Sequence, residues 1–252
     1  MKTKQLILIP IHGIPLIQPG DDLVKTILGR LRASGNRLKG GDILVIAQKI
    51  VSKSEGAVAN MASCRPSKKA KNLARSSGKD ARLVDLILRE SKKVLRQGPR
   101  LLVTEHRRGW VCANAGIDYS NVPGEYVTLL PKDPDRTARK IRQRVKKLSG
   151  IEIAVIISDS HGRPFRKGAI GVALGSSGIR ALVDKRGEKD LFNYRLKSTE
   201  IALGDELASA ATLLMGEADE GIPAVIIRGL NYLKGPGKAR DLIRPEETDL
   251  FR

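Results

Sequence analysis

The sequence is poor in aromatic residues and almost without cysteine. One Trp, four Tyr and three Phe make up 3% of its 252 residues. Leu, Ile, Val and Ala must therefore fill the core, and a stacking platform for single-stranded nucleic acid, which depends on exposed rings, is disfavoured. Two cysteines, Cys64 and Cys112, make neither a disulfide framework nor a metal cluster. No apolar run approaches the roughly 20 residues that cross a bilayer as a helix. The opening Met1 to Pro10 is basic, but its apolar part is too short for a signal peptide and Pro10 interrupts it. The expectation is a soluble, cytoplasmic, globular protein with no membrane partner. Neither a G-x-x-x-x-G-K-[ST] loop nor a G-x-G-x-x-G turn occurs, so the usual nucleotide fingerprints are missing. His12, His106 and His161 are scattered and form no H-E-x-x-H pair.

Acidic residues are in deficit too. Against 46 Lys and Arg stand 27 Asp and Glu, a net charge of +19. That balance favours anionic partners, whether nucleic acid, anionic membrane or phosphorylated small molecules, without choosing among them. A hydrophobic content of 41% supports a buried core in one large domain or two small ones.

Short β-branched runs alternate with longer helical stretches, which predicts a mixed α/β fold. Strands are predicted over 5–10, 42–47, 100–104, 151–158 and 224–228, with a shorter one over 109–113. The nearly continuous apolar run Ile151 to Ile157 suits a strand buried on both faces. Asp80 is placed to cap a helix carrying Leu83, Ile87 and Val94. Asp133-Pro134-Asp135 is a strong helix start, with apolar Ala138, Ile141, Val145 and Leu148 on one face. The other face bears Arg136, Arg139, Lys140, Arg142, Arg144, Lys146 and Lys147, which reads either as a solvated basic face or as a nucleic-acid stripe. A third helix runs from about Ser198 to Met215, its small residues suited to close packing on a neighbour in this chain or in another subunit. Beyond Asn231 the polar, Gly- and Pro-rich tail reads as loose. Ser149-Gly150 is the one candidate junction within a single 1–252 domain, with two subdomains meeting near residue 150.

Three segments could carry chemistry. Asn114-Ala115-Gly116-Ile117-Asp118-Tyr119-Ser120-Asn121 makes a tight turn presenting oxygen atoms, either an ordinary Asx-turn or a hard-cation site built on Asp118. Ser158-Asp159-Ser160, at the carboxyl end of a buried strand, stands where open α/β sheets place ligands. Arg163, Arg166 and Lys167 follow it, a set suited to a metal-bound phosphate, with a capping Asp and solvated cations as the plain alternative. Glu217, Asp219 and Glu220 cluster at the end of a helix, where the dipole already repels anions, so a cation is expected there. Lys53 is either a phosphate partner or a surface lysine.

Together these segments resemble coenzyme F420-0:L-glutamate ligases (γ-glutamyl ligases). The likeness runs in order through Gly13-Ile14-Pro15-Leu16-Ile17 with Pro19 to Leu23, Gly41 to Val45 with Ile50 to Gly56, Asn114 to Asp118 with Ser120-Asn121, Leu130-Pro131 with Asp133-Pro134-Asp135, Ser158-Asp159-Ser160 with Gly162-Arg163, Asp205-Glu206-Leu207, and Leu214 to Glu217 with Gly221 to Val225. The resemblance implies an α/β fold (mixed α+β) of two intimately associated subdomains, without a P-loop, that forms a homodimer. It implies a GTP-dependent, GDP-forming ligase that joins L-glutamate to F420-0 through an acyl phosphate, the bond being γ-linked for successive residues. Asp118, Asp159, Ser160 and Glu217 would hold Mg²⁺ or Mn²⁺ at two sites, with K⁺ as a further cofactor. Guanine nucleotide would meet Ile14, Pro15, Leu16, Ile17, Gln48, Lys49, Lys53 and Asn121. It would also meet the run Met215, Gly216, Glu217, Ala218, Asp219, Glu220, Gly221 and Ile222. Arg163 and Arg166 join Asp118 and Asp159 as catalytic candidates, to steady the transferring phosphoryl group. Gln48-Lys49 stands where small hydroxyl-bearing residues are expected, which leaves GTP against ATP open. A related ligase using another phosphorylated acceptor, or a basic nucleic-acid-binding protein, are the alternatives.

Overall fold

The computed structural model describes residues 5–251; the basic opening Met1 to Lys4 lies outside them. The chain runs β1 (Ile7–Pro10), α1 (Leu23–Ala33), β2 (Ile43–Ala47), α2 (Gln48–Ser54), β3 (Val58–Asn60), α3 (Lys68–Ser77), α4 (Ala81–Glu90), β4 (Ser91–Gly98), β5 (Leu101–His106), β6 (Val111–Ala113) and β7 (Tyr126–Thr128). It continues through α5 (Pro134–Ser149), β8 (Ala154–Arg163), β9 (Arg166–Ser177), β10 (Val183–Asp184), β11 (Glu200–Ile201), α6 (Leu203–Met215) and β12 (Ala224–Arg228). The fold is mixed α/β, as the sequence pattern predicts. No helix among the described residues is long and apolar enough to cross a membrane.

A five-stranded sheet in the order β1-β12-β2-β8-β9 forms the centre. Its β2–β8 pair is parallel and its other pairs are antiparallel. Leu44, Ile46, Val155, Ile157 and Ile226 face a layer built from α1, α2 and α5, while Ile43, Val45, Ile156, Val225 and Ile227 face α6. Burial on both faces is why these strands read as unbroken apolar runs rather than alternating ones. Between α2 and α5 the chain builds a smaller unit. The sheet β4-β5-β6 and the β3–β7 pair belong to it, and its core includes Met61, Leu83, Ile87, Leu102, Ile117 and Val127. Gly150 falls where α5 ends, at φ 71°, and the chain then enters the central strand β8.

Several expectations are corrected. Asp80 does cap α4, accepting the Arg82 N–H, but Val94 lies on β4. The helix ends at Glu90 because 91–98 pairs with β5, from Ser91 opposite His106 to Gly98 opposite Leu101. The third helix begins at Leu203, since Glu200 and Ile201 pair with β10. Its small face packs within the chain. A Cβ on Gly171 of β9 would lie 2.5 Å from the Ala208 carbonyl carbon, so only glycine lets helix and strand approach so closely. The 231–251 tail is not loose: Ala239 is fully buried, its N–H donates to Asp135 Oδ1 at 2.8 Å, and Ser176 Oγ donates to the Gly237 carbonyl at 3.2 Å. Its glycines serve contact instead of freedom, because a Cβ on Gly237 would lie 2.6 Å from Arg180 Cα. Part of the basic face of α5 is engaged in ion pairs, Arg142 and Lys146 with Glu152 and Arg144 with Asp22.

Asp42, at the start of β2 and 1% exposed, ties that strand to the end of β12. Its carboxylate accepts Arg228 Nε at 2.8 Å and Nη2 at 2.7 Å, and the Lys39 N–H at 2.8 Å. Asp42→Ala strands a largely buried guanidinium, and a loss of about 3–5 kcal/mol in unfolding free energy is expected; urea denaturation measures it, and an unchanged midpoint would refute the role.

Candidate functional site

The parallel register sets Ala47 beside Ser158, so α2 leaves the sheet at the carboxyl edge of β2, where α/β sheets bind ligands, while the Asp159 stretch of β8 runs on beside it, still paired with β9. A cleft of about 630 Å³ opens there. Its walls come from far-apart segments: Ile14, Pro15, Leu16 and Ile17; Gln48, Lys49 and Lys53; Asp118, Ser120 and Asn121; Asp159 and Ser160; and Met215, Gly216, Glu217, Ala218, Asp219, Glu220, Gly221 and Ile222. The nucleotide and metal candidates thus share one cavity. Arg163 and Arg166 do not line it. β8 stays extended through Arg163, four residues past Asp159 and about 13 Å on at ~3.3 Å per residue. Arg163 Nη1 then donates to the Gly168 carbonyl inside the β8–β9 hairpin.

Asp118 is held by backbone and side chain alike. Asn114, Ala115 and Gly116 turn the chain at φ of 53°, 55° and 70°, and a Cβ at Gly116 would lie 2.6 Å from Leu130 Cγ. Asp118 then exchanges backbone hydrogen bonds with Thr128. The Ser120 N–H donates to Asp118 Oδ1 at 2.8 Å, which is an Asx-turn, while Lys49 Nζ reaches Oδ2 at 2.6 Å. Lys49 also donates to Ser120 Oγ, and Lys53 Nζ to the Asn121 carbonyl. Burial pushes the Asp118 carboxyl up, but the Lys49 ammonium and the Ser120 N–H and hydroxyl outweigh it and hold it below the ordinary 3.8. Burial, then the neighbouring Lys49 charge, lowers the Lys53 ammonium.

On the opposite wall Asp159 Oδ2 stands 3.1 Å from His161 Nε2, and Ser160 Oγ donates to Glu217 Oε1 at 2.5 Å. His161 is the site partner that sequence reasoning missed. Residues two apart on a strand share a face, a signal readable only once β8 is known to continue past Ser158. Gly216, at φ 67° and ψ −170°, holds a backbone conformation that glycine alone adopts readily, and the Glu220 carboxylate folds back over the space a Cβ would take. The Glu220 carboxylate accepts the Ala218 N–H at 2.8 Å; that N–H, followed by those of Glu220 and Glu217, lowers its pKa. Part of the acidic cluster therefore satisfies its own loop. Gln48 is buried, its Oε1 accepting the Ser52 hydroxyl at 2.9 Å. Burial, and secondarily the Asp159 charge, pushes the Cys112 thiol up to about 12, so it stays protonated and offers no thiolate nucleophile.

Asp118, Asp159, Ser160 and Glu217 supply only oxygen donors, which fits a hard divalent cation in kind. Each carboxylate already has a partner in Lys49, His161 or Ser160. Among the described residues no group of three or more His, Cys, Asp or Glu side chains converges on a metal position. An ion at Asp118 Oδ2 would compete with the Lys49 ammonium and the Ser120 hydroxyl for that oxygen.

The sequence profile of the F420-0:gamma-glutamyl ligase family matches residues 13–229. A coenzyme F420:L-glutamate ligase of Methanopyrus kandleri is 51% identical over 249 residues, covering 96% of this chain and 97% of the relative. Ligases of the same name from Methanothermobacter thermautotrophicus and Methanocaldococcus jannaschii are 49% identical over 247 residues and 54% identical over 215, covering 97% and 85% of this chain and 98% and 86% of the respective relatives.

Replacing Lys49 by Met leaves the burial of Asp118 opposed only by Ser120. The Asp118 carboxyl, now held down by the Lys49 ammonium, is expected to titrate higher, read by carbon-detected NMR titration. Because a depressed carboxyl favours the folded state at neutral pH, the native pair contributes stability above the unfolded pKa and loses it as pH falls through the lower, folded value. Asp118 titrating unchanged in Lys49→Met would overturn the assignment.

Proposed function

The chain belongs to the F420-0:gamma-glutamyl ligase family, and from that membership we propose that it joins L-glutamate to coenzyme F420-0 with GTP as co-substrate. The observation that carries the proposal is the cleft. Segments between residues 14 and 222, assigned to nucleotide or metal by resemblance, line one cavity at the carboxyl edge of the sheet. A non-enzymatic nucleic-acid protein has no need of that convergence.

In this reading Lys49 and Lys53 face the nucleotide phosphates, their charges complementing a polyanion that the +19 chain attracts. Mg²⁺ or Mn²⁺ at two sites on Asp118, Asp159, Ser160 and Glu217, together with K⁺, would neutralise phosphate charge. The loop from Met215 to Ile222 and the Ile14 to Ile17 segment hold the nucleotide from either side and exclude water. The γ-phosphoryl group passes to the F420-0 carboxylate. The neutral glutamate amine then attacks the resulting acyl carbon, the C–N bond forms, phosphate departs with the C–O electrons, and the nitrogen gives up one proton, which the departing phosphate or water takes. No Ser or Cys nucleophile enters, in keeping with the protonated Cys112.

A homodimer belongs to the same reading. Phe165, Leu191 and Phe192, each at least 90% exposed, offer apolar surface for it, and light scattering at twice the chain mass is the expected result.

Incubation with GTP, Mn²⁺, L-glutamate and F420-0, followed by mass spectrometry, is expected to show one or more added glutamyl units and GDP. Asp159→Asn should lower the rate by at least 100-fold, the scale of losing one charge-stabilising group. GDP without a glutamylated product would redirect the assignment to another acceptor; ATP serving as well as GTP would remove the guanine preference.

A further inference from the structure

A second cavity, of about 600 Å³, opens at the other end of the central sheet. Ile153, just before β8, and Ser177 and Gly178, where β9 ends, form one wall of it. Asp159 lies six residues beyond Ile153 along the extended chain, about 20 Å at ~3.3 Å per residue, and no residue lines both this cavity and the cleft. Arg139 and Arg142 reach it from one face of α5, and Lys234 from the tail. Its size falls within the ~300–1,000 Å³ of small-molecule sites.

Three cations line this space against a single carboxylate, Glu152. That carboxylate is already spent: Arg142 Nη2 donates to it at 3.1 Å, and Lys146, from outside the wall, reaches its other oxygen at 2.5 Å. Among the described residues Arg139 and Lys234 form no ion pair and donate no side-chain hydrogen bond. Arg142 is held in place. Its Nε donates to the Ile153 carbonyl at 3.2 Å, and Gly178, at φ 84°, leaves it room, since a Cβ there would lie 2.7 Å from Nε. A guanidinium carries five N–H donors, so these two bonds leave three, on a side chain still 33% exposed. The tail is fixed as well. The Arg180 N–H donates to the Leu233 carbonyl at 3.1 Å, and the Ser176 hydroxyl to the Gly237 carbonyl at 3.2 Å, so the backbone is anchored on either side of Lys234. Ser177 is only 7% exposed, and its hydroxyl has no hydrogen-bond partner among the described residues. Buried hydroxyls are usually paired, so this one is open to a ligand oxygen.

We propose that this cavity is a second anion site, which binds a compact phosphate-bearing molecule on Arg139, Arg142, Lys234 and the Ser177 hydroxyl. A net of two positive charges on the wall matches a phosphate dianion or a diphosphate, and a fixed guanidinium fork fits phosphate oxygens. A nucleic-acid backbone fits less well. Arg142 and Lys146 are tied to Glu152 and Arg144 to Asp22, which breaks the basic row of α5 that a long polyanion would follow. The site goes beyond the ligase reading and stands whether or not that reading holds.

The probe is sodium diphosphate, titrated into the full chain in EDTA without nucleotide, by calorimetry and by backbone-amide NMR. The Ser177, Gly178 and Gly235 amides are expected to shift. Arg139→Gln combined with Lys234→Gln should weaken binding at these amides at least 20-fold. Arg142→Lys, which keeps the charge and loses the fork, should weaken it at least fivefold. Lys68→Gln combined with Lys69→Gln removes the same charge from α3 and should change it less than twofold. Circular dichroism checks each fold; should Arg142→Lys fail to fold, the exposed Arg139 and Lys234 carry the test. Adenosine monophosphate shifting the same amides would support the site with a nucleotide as its source of phosphate, and diphosphate alone doing so would support it as a site for inorganic phosphates. Shifts confined to 48–53 and 215–222 would overturn it, as would an equal loss in the α3 variant, which marks attraction by the +19 chain as a whole. A short oligonucleotide that displaces diphosphate with a steep salt dependence would overturn the compact ligand.

Discussion

The parallel pairing of β2 with β8 decides where every group in the cleft can stand. Side-by-side parallel strands bring what lies just past Ala47 and just past Ser158 into the same space, and the ladder from Ile43 opposite Ala154 to Ala47 opposite Ser158 holds that edge in register. Lys49 and Lys53 follow β2 on α2, whereas Asp159 and Ser160 lie on the continuation of β8. A slip of one residue would turn Asp159 to the opposite face of the sheet. Apolar burial on both faces, and the Asp42–Arg228 pair at the far end, are what resist such a slip.

Charge is the second constraint. The smaller unit meets the main sheet partly through cations of α2, with Lys49 on Asp118 and Ser120 and Lys53 on the Asn121 carbonyl. These same ammonium groups face the cavity a phosphate chain would enter. The ion pair that closes the walls together is therefore one that a bound polyanion and its counter-ions would compete to rearrange, and on that reading binding chemistry and the relation between the two units would depend on the same side chains.

Much of the frame is legible in the amino-acid order. The predicted strand over 42–47 and helix start at Asp133-Pro134 match β2 and α5 because burial on both faces and helix capping are local in sequence. The place of Val94 is not legible, because a helix-compatible stretch is captured by a strand partner about ten residues away. Nor is β9, whose polar, Gly-rich start hides a long strand that pairs with β8 and packs under α6. The tail misleads for a similar reason: glycine and proline signal freedom locally, whereas here they permit contact.

Within the site, the sequence by itself determined which residue types could serve: carboxylates after a tight turn and after a buried strand, lysines after another, an acidic loop at a helix end. These are local properties of side-chain chemistry and backbone preference. Only the tertiary structure decided which of them meet. Extended backbone carries Arg163 about 13 Å past Asp159 at ~3.3 Å per residue, while the same alternation returns His161 to Asp159 at 3.1 Å. The joining of Lys49 to Asp118 across 69 positions, and the gathering of Arg139, Arg142, Ser177 and Lys234 around one cavity, follow from non-local packing, which no window of sequence contains.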